Sequence, residues 1–85
     1  MTYTVLWTEK AAKSLRRIPK EQAARIIDAI ERIRERPFDH VRWLTGSPYF
    51  RYRVGKYRII LDIKRKTLII YVIKVGNREN VYVDL

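Results

Sequence analysis

The chain has 85 residues, of which 47% are hydrophobic and 33% charged, enough for one modest core in a single domain spanning residues 1–85. Its formal charge of +10 concentrates polyanions, while the absence of cysteine and the single histidine exclude disulfides, thiolate metal sites and a histidine-rich metal cluster. No apolar run approaches the ~20 residues of a membrane span, and the N-terminus lacks a basic-then-apolar signal pattern, so a cytoplasmic protein is expected, with no membrane partner.

Residues 2–7 (Thr-Tyr-Thr-Val-Leu-Trp) are β-branched and aromatic and read as a strand, with Trp7 a core residue. Thr8 is placed to cap a helix over residues 9–18, with Glu9 in its first turn and Ala11, Leu15 and Ile18 as its apolar stripe. Pro19 suits the first turn of a second helix. In that helix Ala23, Ile26, Ile27, Ile30 and Ile33 recur at helical spacing up to residue 35 or 36, where Pro37 stops it. Glu21 with Arg25 and Asp28 with Arg32 are acid-first pairs one turn apart on its solvated side. Two helices joined at Pro19 form a hairpin that must bury its isoleucines on a sheet. Residues 38–47 read as a connecting loop tacked down by Trp43 and Leu44, with His40 an incidental member of it.

Next comes Phe50-Arg51-Tyr52-Arg53-Val54-Gly55-Lys56-Tyr57-Arg58, two antiparallel strands turning at Gly55-Lys56. A two-residue loop sets Val54 opposite Tyr57, Arg53 opposite Arg58, Tyr52 opposite Ile59 and Arg51 opposite Ile60. One face then carries Phe50, Tyr52, Val54, Tyr57, Ile59 and Leu61, and the other gathers Arg51, Arg53 and Arg58. Like charges directly opposite one another destabilise a sheet, and no Asp or Glu occurs between Asp39 and Asp62. An anion is therefore expected at this face, with Arg42, Lys56 and Lys74 as further basic residues to touch RNA. Lys64-Arg65-Lys66 is a solvated turn, and residues 67–75 form a near-continuous apolar run, expected as a central strand covered on both faces. Gly76-Asn77 breaks it before a short irregular tail. The whole predicts an α+β fold: an N-terminal strand, a helical hairpin, then a mostly antiparallel sheet.

This inventory holds no Ser-His-Asp or Cys-His set and no glycine-rich phosphate loop, and Asp62, Glu79 and Asp84 are isolated. What remains is the arginine cluster with Arg78 and Tyr82. Guanidinium groups bind phosphate oxygens with paired donors and stay charged. In RNA the 2′-hydroxyl beside each phosphate is a built-in nucleophile. Cleavage without a metal or other cofactor then needs alignment, charge stabilisation and proton transfer, the last a role for a tyrosine among cations.

The order of elements, Leu44-Thr45-Gly46, the stretch from Phe50 to Ile60, and Val75-Gly76-Asn77-Arg78-Glu79 leading to Val81-Tyr82 closely resemble the RelE/ParE toxins of type II toxin–antitoxin systems. The resemblance spans essentially the whole chain. It implies the RelE-like fold, a RelB-like antitoxin that wraps the toxin in a hetero-oligomer, and, for the RelE branch, ribosome-dependent cleavage of messenger RNA. The active-site positions it implies are Arg51, Arg53, Arg58, Arg78 and Tyr82. The ParE branch, which poisons DNA gyrase, generally lacks that full set; a gyrase poison and a non-catalytic basic RNA-binding module are the alternatives. Arg51 and Arg53 stand where lysine is common in the ribonuclease branch, and arginine is a poor proton carrier near neutral pH, which moves proton transfer toward Tyr82 or a ribosomal group. Only three residues follow Tyr82, so the extra C-terminal helix of some relatives is not expected.

Overall fold

A computed structural model describes residues 1–77 of the chain. The elements run β1 (Thr4–Trp7), α1 (Glu9–Arg16), α2 (Lys20–Arg32), a 3₁₀ turn (Pro37–Asp39), β2 (Arg42–Trp43), β3 (Phe50–Val54), β4 (Tyr57–Lys64) and β5 (Ile69–Gly76). The strands form one sheet in the order β1-β5-β4-β3-β2. β1 runs parallel to β5, and every other neighbouring pair is antiparallel. This is the expected α+β architecture.

Local chemistry sets where each element stops. Thr8 caps α1 by accepting the Ala11 N–H, and its own hydroxyl donates to the Val72 carbonyl at 3.0 Å, tying the helix start to β5. α1 ends at Arg16, two residues short of the expected limit, because Pro19 disfavours helical backbone at Ile18. Pro19 is the residue that caps α2 rather than a member of its first turn. α2 closes at Arg32, short of 35 or 36, where the Ile33 and Arg34 amides fall back on Ile30 and Glu31. The chain there is committed elsewhere: the Tyr3 amide donates to the Arg34 carbonyl at 2.9 Å, and Arg34 Nε donates to the Tyr3 carbonyl at 2.8 Å. That exchange also holds Tyr3 out of the ladder, so β1 begins at Thr4. Asp28 and Arg32 pair as expected at 2.6 Å, whereas Glu21 and Arg25 do not; Arg25 extends instead toward Gly55 at the hairpin turn.

The core lies on one side of the sheet. α1 packs over β5 and α2 over β3. Ala11, Ile26, Ile30 and Ile33 join Val54, Tyr57, Ile59, Leu61, Ile63, Ile70, Val72 and Val75 in one buried cluster. Ile27, expected in the stripe, is exposed on the α1–α2 groove. Phe50 and Tyr52 pack at the margin of the cluster, and the Tyr52 hydroxyl donates to the Ala29 carbonyl at 3.2 Å. Its burial raises the phenol above its ordinary pKa of 10.0, against a smaller lowering by Arg32.

Two expectations about the sheet need correcting. The apolar run begins its strand at Ile69, after Leu68 adopts φ 56° to close the turn. It is an interior strand but not the central one, which is β4, and it is buried on one face only: Ile70, Val72 and Val75 are buried while Tyr71, Ile73 and Lys74 are half-exposed. A register shift opposite Ile60 and Leu61 leaves Ile73 without a ladder partner, which is why buried positions there are three apart rather than two. The segment over residues 38–47 is likewise more ordered than a loop. It contains most of the 3₁₀ turn and all of β2, and Trp43 remains 59% exposed, holding the segment through an Nε1–H bond to the Ser47 carbonyl at 2.7 Å instead of by burial.

Candidate functional site

The hairpin has the register that its turn dictates. Gly55 takes φ 58°, a value that few side-chain-bearing residues adopt, and Val54, Arg53, Tyr52 and Arg51 face Tyr57, Arg58, Ile59 and Ile60. Strand alternation then sends Arg51, Arg53 and Arg58 to the face opposite the core. Pairing beyond the hairpin widens the group. Arg42 of β2 faces Arg51, and Lys74 of β5 faces Ile60. One row across four strands therefore reads Arg42, Arg51, Ile60, Lys74, and the next reads Arg53, Arg58, Gly76. Directly opposed residues have Cα atoms only ~4.5–5.5 Å apart. Ile60 is fully buried yet stands outside the core cluster, making an apolar floor within the basic face.

Arg42, Arg51, Arg53 and Arg58 line a cleft of about 290 Å³ together with His40. Among the described residues none of these four guanidiniums has an ion pair: the acids that do pair reach Met1, Arg32, Arg34, Arg36 and Lys64. The nearest acid along β4, Asp62, is held by Lys64 at 3.3 Å. Among the described residues positive charge is thus concentrated and uncompensated, and each of these arginines keeps its paired donors for an incoming anion.

The structure gathers the expected site residues unequally. Arg51, Arg53 and Arg58 converge as expected, and Arg42 joins them through β2. Lys74 shares their face without lining the cleft. Lys56 sits at the turn with its ammonium 5.7 Å from the centre of the Tyr57 ring, a core-face residue, and is apart from the cleft. Arg78 and Tyr82 lie outside the described residues. His40 is the residue that sequence reasoning passed over. It follows the 3₁₀ turn, two residues before Arg42, and that spacing was the available signal, since a two-residue strand has no period of its own to reveal it.

These observations define a small α+β domain with helices on one side of its sheet and a basic cleft of arginines on the other. A family model described as the ParE toxin of type II toxin–antitoxin systems, parDE, matches residues 5–82, and the chain belongs to that family, within the RelE/ParE superfamily. It is a toxin of a type II toxin–antitoxin system. Among solved structures, it is similar to the toxin–antitoxin complex RelBE2 of Mycobacterium tuberculosis, with a TM-score of 0.85 and 23% identity over 92% of this chain and 100% of that one. The RelE–RelB complex of the archaeon Pyrococcus horikoshii gives a TM-score of 0.79 and 27% identity over 93% and 98%. A mutant of Escherichia coli RelE in the free state gives 0.81 and 21% over 99% and 92%. No curated protein matches the chain significantly.

Proposed function

We propose that this toxin is an endoribonuclease that cuts messenger RNA on the ribosome and is silenced by a RelB-like antitoxin. The observation that supports this reading best is the cleft in which Arg42, Arg51, Arg53 and Arg58 meet without an acidic partner among the described residues. Paired donors from Arg51, Arg53 and Arg58 hold the scissile phosphate and stabilise the negative charge that grows on its non-bridging oxygens as the 2′-oxygen attacks. One well-placed donor of this kind is worth ~10²–10³-fold in rate. Arg78 and Tyr82 complete the set by resemblance, Tyr82 as a proton-transfer group. The cleft aligns nothing by itself, so the ribosome supplies the strand geometry and naked RNA is cut slowly. The solution of similar proteins as complexes with RelB partners supports a RelB-like antitoxin for this chain.

The description of the matching family as ParE favours a second reading, a gyrase poison that binds through the same charge. Mapping message ends by primer extension after induction without antitoxin separates the two. Breaks phased to codons are the expected result. Intact message accompanied by double-stranded DNA breaks would refute the ribonuclease reading in favour of the gyrase target.

A further inference from the structure

Among the described residues, four of the five side chains that line the cleft are arginines, which hold charge but neither take up nor release a proton near neutral pH. The fifth is His40, and imidazole is the side chain whose ordinary titration falls within about pH 5–8. Its position is built. The His40 amide donates to the Pro37 carbonyl at 3.1 Å, closing the 3₁₀ turn. Pro37 is fully buried, and Phe38 meets Phe50 edge to face with ring centres 5.3 Å apart. Phe50 immediately precedes Arg51 on β3, so the turn that carries His40 is anchored to the strand that carries two of the arginines. Arg65 covers the Phe38 ring at 4.2 Å, and Asp39 is occupied by Arg36 at 4.0 Å. The imidazole itself is exposed at the cleft and takes no part in the core.

We propose that His40 is a catalytic base of this toxin, receiving the proton of the RNA 2′-hydroxyl. The proposal rests on the ribonuclease reading above. The phosphate is held by the arginines, and a free imidazole nitrogen takes the 2′-hydroxyl proton as the O2′–P bond forms. The P–O5′ bond breaks with its electron pair leaving on O5′, and protonating O5′ is the step left to the proton-transfer group of the ribonuclease reading, which recovers its proton from water. The products are a 2′,3′-cyclic phosphate and a 5′-hydroxyl, and His40 ends as imidazolium, returning its proton to solvent. Among the described residues, the charged groups that share the cleft with the imidazole are Arg42, Arg51, Arg53 and Arg58, while Asp39 with its partner Arg36, and Arg65 over Phe38, flank the turn that carries it.

The test is single-turnover cleavage of message on programmed ribosomes from pH 5.5 to 8.5, for the parent and for His40→Gln, with the thermal midpoint of each. The parent's rate is expected to rise with pH through the imidazole range. His40→Gln is expected to cleave about 10²-fold or more slowly, to lose that rise, and to unfold at the parental temperature. A variant that cleaves at the parental rate, or that slows while retaining the parental pH profile, would overturn the assignment and leave the ribonuclease reading standing. A parent that leaves ribosome-bound message intact would overturn both.

Discussion

The arginine face should cost the free protein stability, and Arg53 is the residue with which to measure it. Arg53 stands directly opposite Arg58, shares the cleft with Arg42 and Arg51, and has no ion pair among the described residues. It is exposed, so replacing it with glutamine removes a charge without opening the core. A directly opposed like-charge pair destabilises a sheet by ~0.2–1 kcal/mol, and the two further guanidiniums place Arg53 toward the upper half of that range. For a domain of this length, ~1 kcal/mol moves the thermal midpoint by ~4–8 °C, so Arg53→Gln should unfold about 2–8 °C above the parent at low salt. The gain should nearly vanish in about 1 M salt, where the screening length falls to ~3 Å. Thermal unfolding followed by circular dichroism at about 0.01 M and 1 M salt reads both effects. A variant less stable than the parent, or a gain that salt leaves unchanged, would show that these charges are compensated and would remove the physical reason for expecting an anion.

Other positions give independent checks. Ile30→Ala empties a fully buried site beneath α2 and should cost ~2–5 kcal/mol in denaturant unfolding, a large share of a small domain's stability; a loss under ~1 kcal/mol would mean that the helix is not packed as described. Tyr52→Phe removes the hydroxyl bond to Ala29, at a cost of ~0.5–1.5 kcal/mol. Because burial raises the Tyr52 pKa in the folded state, the protein favours the neutral phenol. That stabilisation is full below the ordinary phenol value and is lost as pH climbs through the raised one, so Tyr52→Phe should show a shallower alkaline loss of stability, and parallel curves would contradict it. At the tail, Arg78→Ala and Tyr82→Phe should each slow single-turnover cleavage on ribosomes, Tyr82→Phe by ~10²-fold or more if the hydroxyl moves a proton, while ribosome binding holds. Parental rates in both would confine the tail to another role.

What could be read in the sequence was what local rules govern. Gly55-Lys56 fixed a two-residue turn, and with it the register, so the opposition of Arg53 and Arg58 and the separation of arginines from aromatics followed from period two alone. Thr8 announced the first helix for a similar reason. The misjudged features depend on partners far along the chain. α2 stops early because Arg34 exchanges backbone and side-chain bonds with Tyr3, thirty-one residues away. β5 looked buried on both faces because its composition is almost entirely apolar, whereas a register shift against β4 and the covering helices decide which residues are sheltered. β2 is two residues long and relies on pairing with β3, and the 3₁₀ turn before it packs Phe38 against Phe50. Since those contacts bring Arg42 and His40 to the cleft, the gathering of the hairpin arginines was legible and the place of the histidine was not.

The central claim is that the arginine cleft stabilises the transition state of phosphodiester cleavage rather than only attracting RNA. Arg58 tests it most directly, since it is half-buried on β4, opposite Arg53, and lines the cleft. The deciding measurement is the single-turnover rate of message cleavage on programmed ribosomes for the parent and Arg58→Ala, with ribosome affinity measured in parallel. The rate should fall ~10²–10³-fold while affinity changes by a few fold at most. Cleavage at the parental rate, or a loss confined to affinity, would contradict a catalytic role for the cleft.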